Sequence, residues 1–122
     1  MDMRLELVPL PSTDVDRSKA FYIDQVGFLL DHDVEPGNGM RVIQLTPPGS
    51  ACSIVIGVGI SDPQGARVQG LHLVVDDLDA VRRMLLGNGV QVSAVSDMGG
   101  GVHYAYFSDP DGNSWALQQI SR

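Results

Sequence analysis

Few stretches of this chain carry side chains that could do chemistry. Asp31-His32-Asp33 has the residue types of a metal cluster. Adjacent residues of a strand point to opposite faces, however, so it reads as a charged edge strand that deters edge pairing. Asp109-Pro110-Asp111-Gly112-Asn113 offers oxygens that calcium could use, but Asp-Pro-Asp-Gly is turn chemistry. Met98-Gly99-Gly100-Gly101 could approach a phosphate, but no helix follows to offer its N-terminus, so it reads as a mobile loop. Cys52 has no adjacent base or electropositive context to activate a thiolate. Arg82-Arg83 is the only basic pair, and on a predicted helix it reads as a solvated face. Any site must therefore be assembled by the fold.

The elements that would assemble it repeat. Asp14-Val-Asp16 and Asp77-Leu-Asp79 each follow a short apolar run, open a helical segment and lead to a Gly before another strand-like run. Asp14 and Asp77 are 63 apart, as are Asp16 and Asp79, which is one supersecondary unit used twice. In the first copy Leu5–Leu10 reads as a strand, with Pro9 marking an edge or bulge. Thr13 caps a helix that Gly27 stops. Strands Phe28–Val34, Met40–Thr46 and Cys52–Val58 follow, separated by turn residues. The second copy runs strand Gly70–Val75, helix Asp77–Leu86, and strands Val90–Val95, Val102–Ser108 and Ser114–Ile120. The expected fold is α+β: two tandem βαβββ modules, about 3–60 and about 68–122, within one domain spanning 1–122.

Composition bounds the partners. At 122 residues the chain can bury roughly 65% of its unfolded surface and needs no disulfide or metal to fold. Its net charge of −7 and scattered basic residues argue against nucleic acid as a partner. Ala51–Ile60 is too short to span a bilayer, so no membrane partner is expected. One cysteine and no segment that reads as a signal peptide lead to the expectation of a reducing, cytoplasmic setting.

Three motifs carry a family resemblance. They are Asp14-Val-Asp-Arg-Ser-Lys-Ala-Phe-Tyr22 with Val26-Gly-Phe28, then Leu71-His-Leu-Val-Val-Asp-Asp-Leu-Asp79, then Tyr106-Phe-Ser-Asp-Pro-Asp-Gly-Asn113 with Trp115 and Leu117. In this order, over nearly the whole chain, they resemble the vicinal oxygen chelate superfamily of glyoxalases, extradiol dioxygenases, fosfomycin-resistance enzymes and bleomycin-resistance proteins. The resemblance implies modules that curl into half-open sheets, a cup around a ligand between them, and a homodimer.

The resemblance also places the family's metal ligands. Counting from the motifs, they fall at Leu7, at Gly70, at Ala116, and at Ser53 or, one register over, Val55. None of these side chains is a carboxylate or an imidazole, so no metal and no cofactor is expected. Strand alternation from those positions then gives the cup lining. On the fifth strand His72 and Val74 share the face of Gly70; on the last, Ser114 and Gln118 share that of Ala116. The predicted ligand-binding set is Leu7, Gln44, Ser53, His72, Tyr104, Tyr106, Ala116 and Gln118. Trp115 and Leu117 should pack under a helix, and His103 should be peripheral.

Three readings follow. The first is a metal-independent protein of the glyoxalase/bleomycin-resistance type that binds a small, partly apolar organic molecule. No catalytic residue is assigned, and whether the protein is an enzyme stays open. The second is a metal-free lyase, isomerase or hydrolase with His72 as base, working with Tyr106 or Gln44. The third is an interaction module whose cup is filled by its own side chains.

Overall fold

The computed structural model describes residues 1–121. Its element order is β1 (Leu7–Pro9), α1 (Val15–Ala20) continued by a π-helical segment (Phe21–Val26), β2 (Leu29–Gly37), β3 (Met40–Thr46) and β4 (Ser53–Val58). The second module repeats it as β5 (Leu71–Val74), α2 (Leu78–Gly87), β6 (Ser96–Asp97), β7 (Val102–Ser108) and β8 (Ser114–Ile120). Each module makes its own four-stranded sheet, ordered β1-β4-β3-β2 and β5-β8-β7-β6. In each, the first strand runs parallel to the last and the other pairs are antiparallel.

Local chemistry sets the element ends. Asp14, not Thr13, caps α1: its carboxylate accepts from Arg17 N at 3.1 Å, as Asp77 accepts from Ala80 N at 3.0 Å to cap α2. Thr13 is diverted because its N–H and hydroxyl both donate to Asp111 across the molecule. Gly27 closes the helical segment in the left-handed conformation, φ 92°, and Tyr22 O accepts from both Gly27 N and Phe28 N. The expected strand Val90–Val95 is not a strand. Ser93 N donates to Tyr106 O, but Tyr106 N is taken by Ser93 Oγ, so a side chain replaces the backbone acceptor and the ladder starts only at Ser96. Met98–Gly101 is the tight turn of the β6–β7 hairpin, closed by Met98 N to Val102 O at 2.9 Å.

One core serves both modules. Ile43, Leu45, Ile54 and Ile56 from the first sheet and Ala105, Phe107, Trp115 and Leu117 from the second are buried in the same cluster. Phe21, Tyr22, Val26, Leu78 and Leu85 from the helical segments fill it. Trp115 meets Tyr22 and Phe28 edge-on and stacks on Phe107, which places it under the helices as its alternation predicts. A buried polar cluster pins the modules together. Tyr22 OH donates to Asp109 Oδ2 at 2.7 Å, Trp115 Nε1 donates to Tyr22 OH at 3.0 Å, and Asn113 Nδ2 donates to Asp109 Oδ2 at 2.8 Å. Both helix-side faces are spent on this core, so the other face of each sheet turns away from it.

Candidate functional site

The predicted lining falls on those two outward faces. Leu7, Gln44 and Ser53 lie on the first sheet: Leu7 is opposite Ser53, and Gln44 is opposite Val55. His72, Tyr104, Tyr106, Ala116 and Gln118 lie on the second, where Ala116 stands between His72 and Tyr106 and Gln118 between Val74 and Tyr104. The structure thus gathers these residues into two clusters rather than one. Of them, Ser53 and His72 line a common pocket across the modules, a cleft of about 260 Å³ shared with Leu5, Val8 and Trp115. A larger cavity, about 410 Å³, opens beside His72 between the Pro47–Ser50 turn, β5 and α2, with Val26, Phe28 and Met84 in its wall.

The ladders also settle the repeat register. Gln44 pairs with Val55 as Tyr106 pairs with Ala116, so the repeat-mate of Ala116 is Val55 and not Ser53. The offset is 63 in β1/β5, 62 in β3/β7 and 61 in β4/β8; the last step arises because the β3–β4 connection is one residue longer than the β7–β8 turn. Of the places where the resemblance puts the family's metal ligands, this register selects Leu7, Val55, Gly70 and Ala116. Two are aliphatic, one is a methyl and one has no side chain, so none can donate a lone pair to a cation. Among the described residues no group of three or more His, Cys, Asp or Glu converges as a metal would need.

The second face is aromatic. The Tyr104 and Tyr106 rings are parallel within 4° at 5.8 Å, and the His72 ring meets Tyr104 edge-on at 5.4 Å. Tyr106 is 45% exposed and Val74 67%, whereas Ala116 beneath them is buried. His72 is held by its Nδ1, 2.6 Å from the carbonyl oxygen of Gly70. The small Ala116 side chain makes the floor over which these rings stand.

The first face is polar. Gln44 Nε2 donates to Ser53 Oγ at 3.3 Å, and Ser53 Oγ lies 2.6 Å from Thr46 Oγ1. Thr46 in turn donates to Asp31. Asp31 is absent from the predicted lining. A bulge in β2 between Leu30 and His32 breaks the alternation there and brings Asp31 to Thr46, and no sequence signal marks that bulge. The next carboxylate, Asp33, goes to the helix side instead, to Lys19 and Arg41. Asp31-His32-Asp33 thus splits over two faces of an edge strand. His103 lies on the α2 side of its sheet, 34% exposed, with Nε2 3.7 Å from Asp97 and its buried Nδ1 without a partner among the described residues.

Comparisons with known proteins agree with this architecture. The sequence pattern of the Glyoxalase/Bleomycin resistance protein/Dioxygenase superfamily matches residues 4–117. TnmS3, an antibiotic binding protein from Streptomyces sp. CB03234, is 36% identical, covers 98% of each chain and superposes with a TM-score of 0.85. A glyoxalase/bleomycin resistance protein from the same organism is 37% identical over 95% of this chain and all of its own, with a TM-score of 0.79. A superfamily member from Sphaerobacter thermophilus DSM 20745 is 24% identical over 97% of this chain and 98% of its own, at a TM-score of 0.84, a likeness of fold. No curated protein matches. The motifs, the doubled βαβββ unit and these likenesses lead to one conclusion: the chain belongs to the glyoxalase/bleomycin resistance protein/dioxygenase superfamily.

Proposed function

We propose that this protein is a metal-independent binding protein for a small, partly apolar organic molecule, held in a cup lined by the two outward faces. What supports the reading is the chemistry at the places where the resemblance puts the family's metal ligands. Leu7, Val55, Gly70 and Ala116 offer no donor atoms, while beside Ala116 stand the stacked Tyr104 and Tyr106 and the edge-on His72. A mostly apolar wall with a few fixed polar groups is the make-up of a small-molecule site. The antibiotic binding by TnmS3 points the same way for a relative of this similarity.

The cup is proposed to close between two copies. Within one chain the Gln44 and His72 clusters turn away from a shared core, and each face exposes apolar side chains, Leu29 at 59% on one and Val74 at 67% on the other. A homodimer that sets the first face of one copy against the second face of its partner covers both and makes two sites. The free Cys52 fits a reducing, cytoplasmic setting.

One observation favours the metal-free enzyme as a second reading. The Gly70 carbonyl orients the His72 ring, as a general base requires. The two readings part on His72→Ala: a binding protein has no turnover to lose, whereas the enzyme loses rate with little change in affinity.

The test is a thermal-shift screen with small planar aromatics, run on protein whose metal content is measured. A ligand-dependent rise in melting temperature in metal-free protein is the expected result. Stoichiometric zinc, nickel, manganese or iron in the active preparation overturns metal independence, and no shift with any aromatic overturns the binding reading.

A further inference from the structure

Four polar side chains on the first face form a hydrogen-bond chain with only one possible direction. Thr46 Oγ1 donates to Asp31. A carboxylate only accepts, so the single Thr46 proton is committed there. Thr46 Oγ1 and Ser53 Oγ lie 2.6 Å apart, so that bond must use the Ser53 proton. Ser53 Oγ then has none left for Gln44, and it meets Gln44 Nε2 at 3.3 Å, a donor. Turning the Gln44 amide over would set oxygen against oxygen with no hydrogen between them. Gln44 Oε1 is therefore fixed as an acceptor, and it has no partner among the described residues.

The second face reaches the same polarity by another route. His72 Nδ1 lies 2.6 Å from the Gly70 carbonyl, which cannot donate, so the neutral ring carries its proton on Nδ1. Its Nε2 is left with a free lone pair. The Tyr104 and Tyr106 hydroxyls can donate or accept and impose no direction.

The geometry points to a ligand class: a planar aromatic bearing hydroxyl or N–H donors toward Gln44 Oε1 and His72 Nε2, with carboxylates and phosphates rejected. The parallel tyrosine rings supply the flat surface. The acceptors set the pattern, and a net charge of −7 adds long-range repulsion against anions. Asp31 acts on Gln44 through Thr46 and Ser53 as a positioning residue. The inference rests on the small-molecule reading above and on its cup between copies, since one chain holds Gln44 and His72 in separate clusters.

The test is calorimetric titration with a dihydroxynaphthalene, its dimethoxy counterpart and a naphthalene dicarboxylate. The wild-type protein should bind the diol about tenfold more tightly than the ether, and the dicarboxylate least. Asp31→Ala and Thr46→Val each release the chain and let the Gln44 amide turn either way. In both, the diol-to-ether ratio should fall below about threefold, while Thr46→Ser, which keeps the hydroxyl, should retain the wild-type ratio. Asp31 is exposed, so its replacement leaves the fold intact. Equal binding of diol and ether by the wild type, or a ratio unmoved in both Asp31→Ala and Thr46→Val, overturns the polarity and leaves small-molecule binding standing. Failure of all three naphthalenes to bind at millimolar concentration overturns both.

Discussion

Asp33 on β2 accepts from Lys19 Nζ at 2.6 Å and from two nitrogens of Arg41 at 3.0 Å. The Arg41 hydrogen bonds first, then that of Lys19, hold its carboxyl well below the usual range, and the pairing holds the Arg41 guanidinium up. A carboxyl whose folded pKa is depressed stabilises the protein above its unfolded pKa, about 3.9, and that stability is lost as pH falls through the folded value. Asp33→Asn should therefore cost about 1 kcal/mol at neutral pH, with the difference from wild type vanishing in strong acid. Urea unfolding at a series of pH values measures both. Tyr22 presents a different case. Burial pushes its hydroxyl far above its ordinary range and the Asp109 charge adds to the effect, so it stays protonated and acts only as donor and acceptor. Tyr22→Phe leaves Asp109 with one donor fewer and Trp115 Nε1 without its acceptor. Two buried groups lose a partner, so the expected destabilisation is about 2–3 kcal/mol, read as a lower denaturation midpoint with unchanged slope.

Strands carried clear signals where alternation or a turn framed them, and β3, β7 and β8 fall where the pattern puts them. The strand expected at Val90–Val95 failed because Ser93 competes with the backbone for Tyr106 N, a tertiary choice that Val content cannot report. The Thr13 cap failed for a like reason, since its partner Asp111 lies 98 residues away. Register was legible only to within one step. Val55 and Ser53 share a face, and the extra residue between β3 and β4 decides which one answers Ala116. Asp31 was illegible because a bulge moves a side chain without a residue type to announce it. Gly57 is where an element depends on a missing side chain: it pairs with Val42 on β3, and a Cβ added there would stand 1.9 Å from Arg41 O. Gly57→Ala should split the β3–β4 ladder at that point and cost about 2–3 kcal/mol. Faster hydrogen exchange along β3 and β4, with β7 and β8 protected as before, is the expected local signature.

The whole molecule spends its helix-side faces on one core and leaves two lined faces outward, one polar and one aromatic. A cup between copies takes its first face from one chain and its second from the partner, and a mixing experiment tests that exchange. Gln44→Leu damages the first face and Tyr106→Ala the second, and each alone should weaken ligand binding about tenfold through a lost polar or stacking contact. In a heterodimer of the two variants, cups between copies come out unequal. One joins the intact first face of the Tyr106→Ala chain to the intact second face of the Gln44→Leu chain, and the other carries both lesions. Co-expression with two different tags and tandem purification yields this heterodimer. Titration should then show one site of wild-type affinity per dimer, half the wild-type stoichiometry. If each cup instead lies within its own chain, every site in the heterodimer carries one lesion and no wild-type affinity returns. That outcome, or a monomer at micromolar concentration by sedimentation, would remove the partner copy from the site and return the search to the cleft that Ser53 and His72 already share.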